Sequence, residues 1–203
     1  MTGKVYISGG GDEHASELLD KAFFAEIPQN GRILYIATGI RADKRMEHAA
    51  DWMQDMIRMH GRDDIQFMLA VNLTAFKHLV DYSAVYIGGG DVDDIMDEFD
   101  RTGFEFILQN YHEHGGLVYG GGAGAIVLGK YIDTRREVRR QYKTGVQILG
   151  RLSVYPGYQG EVVDGWATSH DSHLLTIPSG IGVVIADGKV IQDVGKSYKI
   201  HEL

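Results

Sequence analysis

The chain has 203 residues, enough for one α/β domain with a sizeable core and short for two, so we predict a single domain over residues 1–203. It carries 20 basic and 28 acidic side chains, a net charge of −8, which argues against a surface for nucleic acid or anionic membranes. There is no cysteine, which excludes disulfides, a thiolate nucleophile and cysteine-ligated zinc. The first residues do not resemble a signal peptide and no apolar run could span a membrane, so a soluble cytoplasmic protein is expected.

Short apolar runs alternate with amphipathic segments through the first part of the chain. Strands are predicted at residues 4–8, 32–37, 65–69, 84–87 and 117–119. Helices are predicted at residues 15–25, 42–60 and 73–80, then up to residue 99, at 104–112, and directly after residue 122. This alternation favours a parallel sheet with right-handed crossovers and helices on both faces.

The pattern changes after residue 129. Residues 130–145 are polar and contain Arg135, Arg136, Arg139 and Arg140, residues 146–155 are apolar, and further strands are predicted at 174–177, 181–186 and 190–194. Asp187-Gly188 is a hairpin turn signal between the last two strands. We therefore predict a mostly parallel, doubly wound α/β sheet flanked by helices, with a C-terminal β-hairpin. The four arginines could receive an acidic ligand group, although a solvated surface is the favoured interpretation.

Three glycine triplets, at residues 9–11, 88–90 and 120–122, each follow a predicted strand. In a doubly wound sheet these strand ends share one edge, where ligands bind in the crevice. Any one triplet could simply make a tight turn, but three on one edge favour a binding site.

Two other motifs point to chemistry only weakly. Gly120, Gly122 and Ala125 match the dinucleotide fingerprint G-x-G-x-x-A, but the match lies in the fifth strand–helix unit and lacks the acidic residue that should end the next strand. The run SHDSH at residues 169–173 combines hydroxyl, imidazole and carboxylate groups. Since catalytic triads are assembled from distant segments, a polar loop is favoured there over a catalytic or metal site.

The segment LVYGGGAGAI at residues 117–126 has the pattern of a catalytic elbow. A strand runs into a tight turn of small residues and then into a helix, an arrangement that exposes the apex residue above the edge of a sheet. The apex here is Gly122, which has no side chain that could attack a substrate. We predict that Gly122 adopts a positive φ angle.

Several motifs together resemble those of the S51 peptidase family, which includes aspartyl dipeptidase (peptidase E) and cyanophycinase-like proteins. The elbow GGGAGA at 120–125 is similar to the family's G-x-S-A-G-A, and GGGDV at 88–92 to its G-G-G-N-T turn. PGY at 156–158 resembles the P-H-[YF] segment that carries the family's histidine, and PSG at 178–180 resembles P-E-G. The resemblance spans nearly the whole chain and implies a class I glutamine-amidotransferase-like α/β fold.

The resemblance also implies that the family's reactive side chains are missing here. Gly122 stands in place of the serine nucleophile and Gly157 in place of the histidine. Asp91 replaces the asparagine of the G-G-G-N turn, Ser179 replaces the glutamate of P-E-G, and the acid of some members corresponds by spacing to Glu137. Acyl transfer requires a nucleophile and a base, so no intact catalytic residue is expected.

Main-chain groups of the old site do not depend on those side chains. In the family the oxyanion is held by N–H groups that correspond to Gly89 or Gly90 and to Ala123. With Asp91 and Gly122 these residues form the predicted ligand-binding set. We expect a small molecule or short peptide that carries a carboxylate as the ligand, with no metal, no cofactor, no nucleic acid and no membrane involved.

Three functional hypotheses remain open from the sequence. A catalytically degenerate S51 homologue that keeps the ligand crevice is favoured. The alternative is an active hydrolase of acidic dipeptides with a nucleophile relocated to Ser153, Ser179 or a nearby histidine. A nucleotide-binding protein ranks last. The sequence leaves the ligand and the oligomeric state, a homodimer included, undetermined.

Overall fold

The fold is that of a computed structural model, which describes residues 2–11, 15–40, 43–132, 143–195 and 197–203. The strands are β1 (Val5–Ser8), β2 (Arg32–Ile36), β3 (Gln66–Ala70), β4 (Ala84–Ile87), β5 (Leu117–Gly121), β6 (Leu152–Pro156), β7 (His173–Ile177), β8 (Gly182–Ala186), β9 (Lys189–Val194) and β10 (Lys199–His201). The helices are α1 (Glu17–Glu26), α2 (Asp43–Met59), α3 (Val92–Thr102), α4 (Phe104–Glu113), α5 (Ala123–Leu128) and α6 (Trp166–His170). No helix in these ranges is both long and apolar enough to cross a bilayer.

A seven-stranded sheet forms the centre of the molecule, in the order β3-β2-β4-β5-β1-β8-β9. The first five strands in this order are parallel to their neighbours, whereas β8 is antiparallel to β1 and β9 to β8. The predicted mixed α/β fold with a mainly parallel sheet and a C-terminal hairpin is confirmed. Asp187 and Gly188 form its turn with φ angles of 49° and 71°, as a type I′ hairpin requires.

Because β4, β5 and β1 are adjacent and parallel, their carboxyl ends lie side by side. Ser8 at the end of β1 pairs with Gly121, and Ile87 at the end of β4 pairs with Gly120. All three glycine triplets are therefore at one edge of the sheet, as the sequence predicted. We call this edge the glycine edge.

Helices cover both faces of the sheet because successive strand side chains point to opposite sides. On one face, α1 and α2 pack Phe23, Phe24 and Met53 against the sheet. On the other face, α3, α4 and α5 contribute Phe99, Phe104 and a helix in which every residue is buried. The glycine edge is thereby held between two apolar layers.

A second sheet was not predicted. β6, β7 and β10 form a three-stranded sheet in the order β10-β7-β6, with β6 parallel to β7 and β10 antiparallel to it. The sequence indicated an apolar run at 146–155 and a strand at 174–177, but which strands pair depends on long-range contacts. β6 packs against α5, and so this sheet extends the layer beside the elbow.

Two local predictions were wrong. Residues 73–80 form turns rather than a helix: Leu73 and Leu79 are buried in the same apolar cluster as residues of the sheet, and Leu73 N–H donates to Glu98 Oε1 at 2.7 Å. Their apolar spacing thus reflects packing and not helical periodicity. The run at 169–173 is not simply a polar loop, since it contains the end of α6 and the start of β7.

Candidate functional site

The elbow at Gly122 has the predicted backbone geometry. Gly122 lies between β5 and α5 with φ 55° and ψ −112°, so the prediction of a positive φ is confirmed. A Cβ atom added there would have no heavy atom of the described residues within 4 Å, apart from its two chain neighbours. The position therefore has room for a side chain, and backbone strain alone, on the order of 1–3 kcal/mol, opposes a residue other than glycine.

Close contact between α5 and the sheet explains the small residues that follow. A Cβ atom at Gly124 would lie 2.2 Å from the carbonyl oxygen of Ile87, which is main chain of β4 and cannot turn away. The first turn of α5 thus rests directly on β4, and this contact fixes the elbow above the glycine edge.

We expect Gly124→Ala to lower the free energy of unfolding by about 3 kcal/mol or more, because the added methyl group collides with main chain in a close-packed interior. Gly121→Ala is the matched control in the same turn, since its Cβ would make ordinary contacts of 3.6 Å and 3.7 Å with Tyr119 and Tyr86. Urea unfolding of the two variants measures the difference. Equal losses of stability would contradict the direct helix–strand contact.

The second glycine turn leads into a helix cap. The carboxylate of Asp91 accepts hydrogen bonds from the N–H groups of Asp93, at 2.8 Å, and Asp94, at 3.2 Å. The N–H of Asp91 donates to Gly39 O at 3.0 Å. Asp91 is therefore the N-cap of α3, a role that asparagine fills equally well.

Gly157 and Ser179, which the sequence analysis compared with the family's histidine and glutamate, lie toward the same edge. Gly157 directly follows β6, and the next N–H, that of Tyr158, donates to Ile177 O at the end of β7. From there the chain turns through the exposed Ser179 to Gly180, whose N–H donates to Gly10 O at 2.8 Å. The ends of β6, β7 and β1 thus meet. Glu137 and the four arginines lie outside the described residues.

Ser153 is not available as a relocated nucleophile. Its side chain is fully buried, and its Oγ accepts the Tyr131 N–H at 3.0 Å and lies 2.8 Å from Ser172 Oγ. Side chains of the SHDSH run at 169–173 also make structural contacts. His170 stacks on Trp166 with ring centroids 4.1 Å apart, and the carboxylate of Asp171 pairs with Arg151 at 2.7 Å.

A pocket of about 220 Å³ opens at the glycine edge beside the elbow. Its lining comprises Ser8, Gly10, Gly11, Ser16, Tyr35, Trp52, Tyr86, Gly88, Gly89, Tyr119, Gly121 and Gly122. A larger cavity of about 700 Å³ lies at the opposite edge, next to Ser83 and Gly116, which precede β4 and β5. The smaller pocket is the better candidate site, because glycine turns and buried polar side chains converge on it.

Tyrosines form the wall of this pocket, and the sequence analysis missed them. Tyr35, Tyr86, Tyr119 and Tyr6 are paired in register across β2, β4, β5 and β1. Tyr86 and Tyr119 are stacked, with ring centroids 4.2 Å apart. The signal was present, because each of these four strands carries one tyrosine.

A buried carboxylate accepts a hydrogen bond from one of these tyrosines. Asp20 of α1 is 1% exposed; its Oδ1 accepts the hydroxyl of Tyr119 at 2.6 Å and its Oδ2 the hydroxyl of Ser16 at 2.5 Å. Burial raises the pKa of Asp20 to about 6, although both hydrogen bonds favour the ionised form. Burial likewise raises the pKa of the Tyr86 and Tyr119 phenols, so both stay protonated.

Comparison with known proteins identifies a family and two solved structures to which the chain is similar. The peptidase family S51 model matches residues 5–192. A crystal structure of a peptidase from an acI-B1 Actinobacterium is similar over 100% of this chain and 95% of that one, with a TM-score of 0.72 and 20% identity. A candidate peptidase E protein from Listeria monocytogenes EGD-e is similar over 100% of both chains, with a TM-score of 0.67 and 14% identity.

At such identities the two structures establish a shared fold only. No curated protein matches the chain. The family match, in contrast, extends from β1 to β9 and includes the elbow and both of the other glycine turns. The chain belongs to peptidase family S51.

Proposed function

We propose that this protein is a non-hydrolytic member of family S51 that binds a small peptide-like ligand at the glycine edge. The observation that carries the proposal is Gly122 itself. The elbow keeps its conformation, with φ 55° and open space around the apex, but it presents no nucleophile. Gly157, in place of the histidine, supplies no base that could activate one.

Main-chain N–H groups support binding of the ligand's carboxylate. The N–H of Ala123 belongs to the first turn of α5, where N–H groups have no acceptor within the helix. Ala123 directly follows Gly122, which lines the pocket together with Gly89. The described lining contains no lysine, arginine or histidine, so no cationic side chain there would hold an anion, and the proposal assigns this role to backbone N–H groups. Such donors stay in place when the nucleophile and base are lost.

Hydrolysis provides the test. We expect the wild-type protein to leave a panel of Asp-X dipeptides intact and to remain unlabelled by a fluorophosphonate probe for activated serine. N-acetyl-aspartate, a carboxylate without an amino group, should nevertheless raise the melting temperature by binding the folded state. Dipeptide turnover with labelled serine would refute the proposal, and an unchanged melting temperature would refute the carboxylate site.

A hydrolase with a relocated nucleophile is the second candidate, and one contact favours it. Ser16 Oγ lies 2.5 Å from Asp20 Oδ2 at the side of the pocket, and the pKa of Asp20 is raised to about 6, within reach of a general base at neutral pH. Under this hypothesis the fluorophosphonate attaches to Ser16, and Ser16→Ala abolishes both labelling and turnover. The proposed function expects no label at all.

A further inference from the structure

Two hydroxyl groups of the pocket lining donate to the same carboxylate. Tyr119 donates to Asp20 Oδ1 at 2.6 Å and Ser16 to Asp20 Oδ2 at 2.5 Å. Because each hydroxyl has one proton and that proton is directed to Asp20, the oxygens of Ser16 and Tyr119 offer lone pairs, not protons, to a further partner.

Aromatic rings also line the pocket. The ring of Tyr35 lies 5.5 Å from that of Tyr86 at an interplanar angle of 89°, and the ring of Trp52 lies 5.7 Å from Tyr86 at 62°. Differently oriented aromatic rings beside hydrogen-bond acceptors are the surroundings in which proteins hold ammonium groups.

The charge beside the pocket also favours a cation. The carboxylate of Asp20 is buried, and its two described hydrogen-bond partners are neutral hydroxyl groups rather than a cation. No basic side chain lies among the described lining residues. A cation in the pocket would offset this negative charge, whereas an anion on this side would be repelled by it.

We propose that the pocket of Ser16, Tyr35, Trp52, Tyr86 and Tyr119 is an ammonium subsite for the amino group of a small aliphatic amine, free or at the end of a peptide-like ligand. The inference deepens the proposed function and rests on it, since it supplies the amino end of a ligand whose carboxylate the main-chain N–H groups would hold. A volume of about 220 Å³ accommodates a few non-hydrogen atoms, on the order of seven waters at liquid density.

Three probes with the same carbon chain test the charge preference: butylamine as the cation, 1-butanol as the neutral analogue and butyrate as the anion. Isothermal titration at pH 7.5 should give butylamine an affinity at least about tenfold higher than that of 1-butanol. Asp20→Asn should reduce the affinity for butylamine to that for the alcohol. Glu26→Gln is the matched control, since it removes one negative charge from the other end of α1, where Glu26 pairs with Lys4.

The aromatic wall and the charge of Asp20 have separate readouts. Trp52→Leu should weaken butylamine binding several-fold more than 1-butanol binding.

If Asp20→Asn does not fold, acidification of the wild type replaces it. The groups that face Asp20 are Ser16 on α1 and Tyr119 on β5, with Tyr86 and Ser8 behind them, so Asp20 is the group that titrates near pH 6. Butylamine affinity should then fall through that pH while 1-butanol affinity stays constant.

Equal affinities for amine and alcohol, or tighter binding of butyrate than of butylamine, would overturn the ammonium subsite. If the wild-type protein binds butylamine but not N-acetyl-aspartate, the carboxylate half of the proposed function is overturned and the ammonium subsite is not.

Discussion

Gly122→Ser alone is expected to leave hydrolysis of Asp-X dipeptides undetectable. The new hydroxyl fits, because within the described part of the chain a Cβ at this position meets no atom within 4 Å beyond its two chain neighbours. Without a base, however, the hydroxyl stays protonated at neutral pH and is a weak nucleophile. The variant should also be about 1–3 kcal/mol less stable than the wild type, because serine must adopt φ 55°. Gly122→Ala is the control, with the same strain and no hydroxyl.

Activity should appear only when the base is added. Gly122→Ser with Gly157→His supplies nucleophile and base, and a positioned base is worth about 10²–10⁴-fold in rate. Asp91→Asn should raise the rate further, because a carboxylate near the predicted oxyanion donors opposes the charge that develops in the transition state. Since asparagine also caps helices well, this change should not disturb α3.

The measurement is the rate of dipeptide hydrolysis by the wild type and by the single, double and triple variants. Each rate is compared with that of Gly122→Ala on the same background. If the wild type hydrolyses dipeptides and substitutions at Gly122 and Gly157 leave that rate unchanged, catalysis occurs elsewhere. Ser16 would then be the next position to substitute.

The second large effect is a pH dependence of stability caused by Asp20. Its pKa is about 6 in the folded protein, raised by burial, and about 3.9 in an unfolded chain. Between these values the folded state binds the proton more tightly, so the free energy of unfolding falls as pH rises from about 4 to about 6. Two pKa units correspond to about 3 kcal/mol.

Urea unfolding of the wild type and of Asp20→Asn, at a series of pH values, isolates this contribution. The stability of the variant relative to the wild type should increase by about 3 kcal/mol between pH 4 and pH 7, because asparagine does not ionise. Glu26→Gln, a change in the same helix at an exposed ion pair, should show no comparable increase. A difference between wild type and Asp20→Asn that does not vary with pH would mean that Asp20 ionises as freely when folded as when unfolded.

The sequence by itself determined the elements and the elbow. Apolar runs that end in glycine are strong local signals, since a buried parallel strand and a tight turn each demand particular residue types. They placed β1, β2 and β4 to within a residue at each end and β5 to within two, and they predicted the positive φ of Gly122. The glycine at that apex is likewise visible in the sequence.

Prediction was weaker where a residue's surroundings decide its state. Residues 73–80 were predicted as a helix, yet they form turns, and Leu73 and Leu79 pack into the apolar cluster of the sheet. The sequence analysis did not predict that the carboxylate of Asp91 caps α3, and its predicted role in ligand binding stays a prediction. Local patterns do not reveal which distant group will cover a side chain or accept its hydrogen bond.

Only the tertiary structure decided where the polar groups of the pocket meet. Asp20 and Tyr119 are 99 residues apart, and nothing near Asp20 in the sequence marks it as a buried carboxylate. Strand order aligns the tyrosines of β1, β2, β4 and β5 in one row, and the packing of α1 against that row removes Asp20 from water. Burial and pairing are properties of contacts between distant segments, and they set both the charge and the pKa of this pocket.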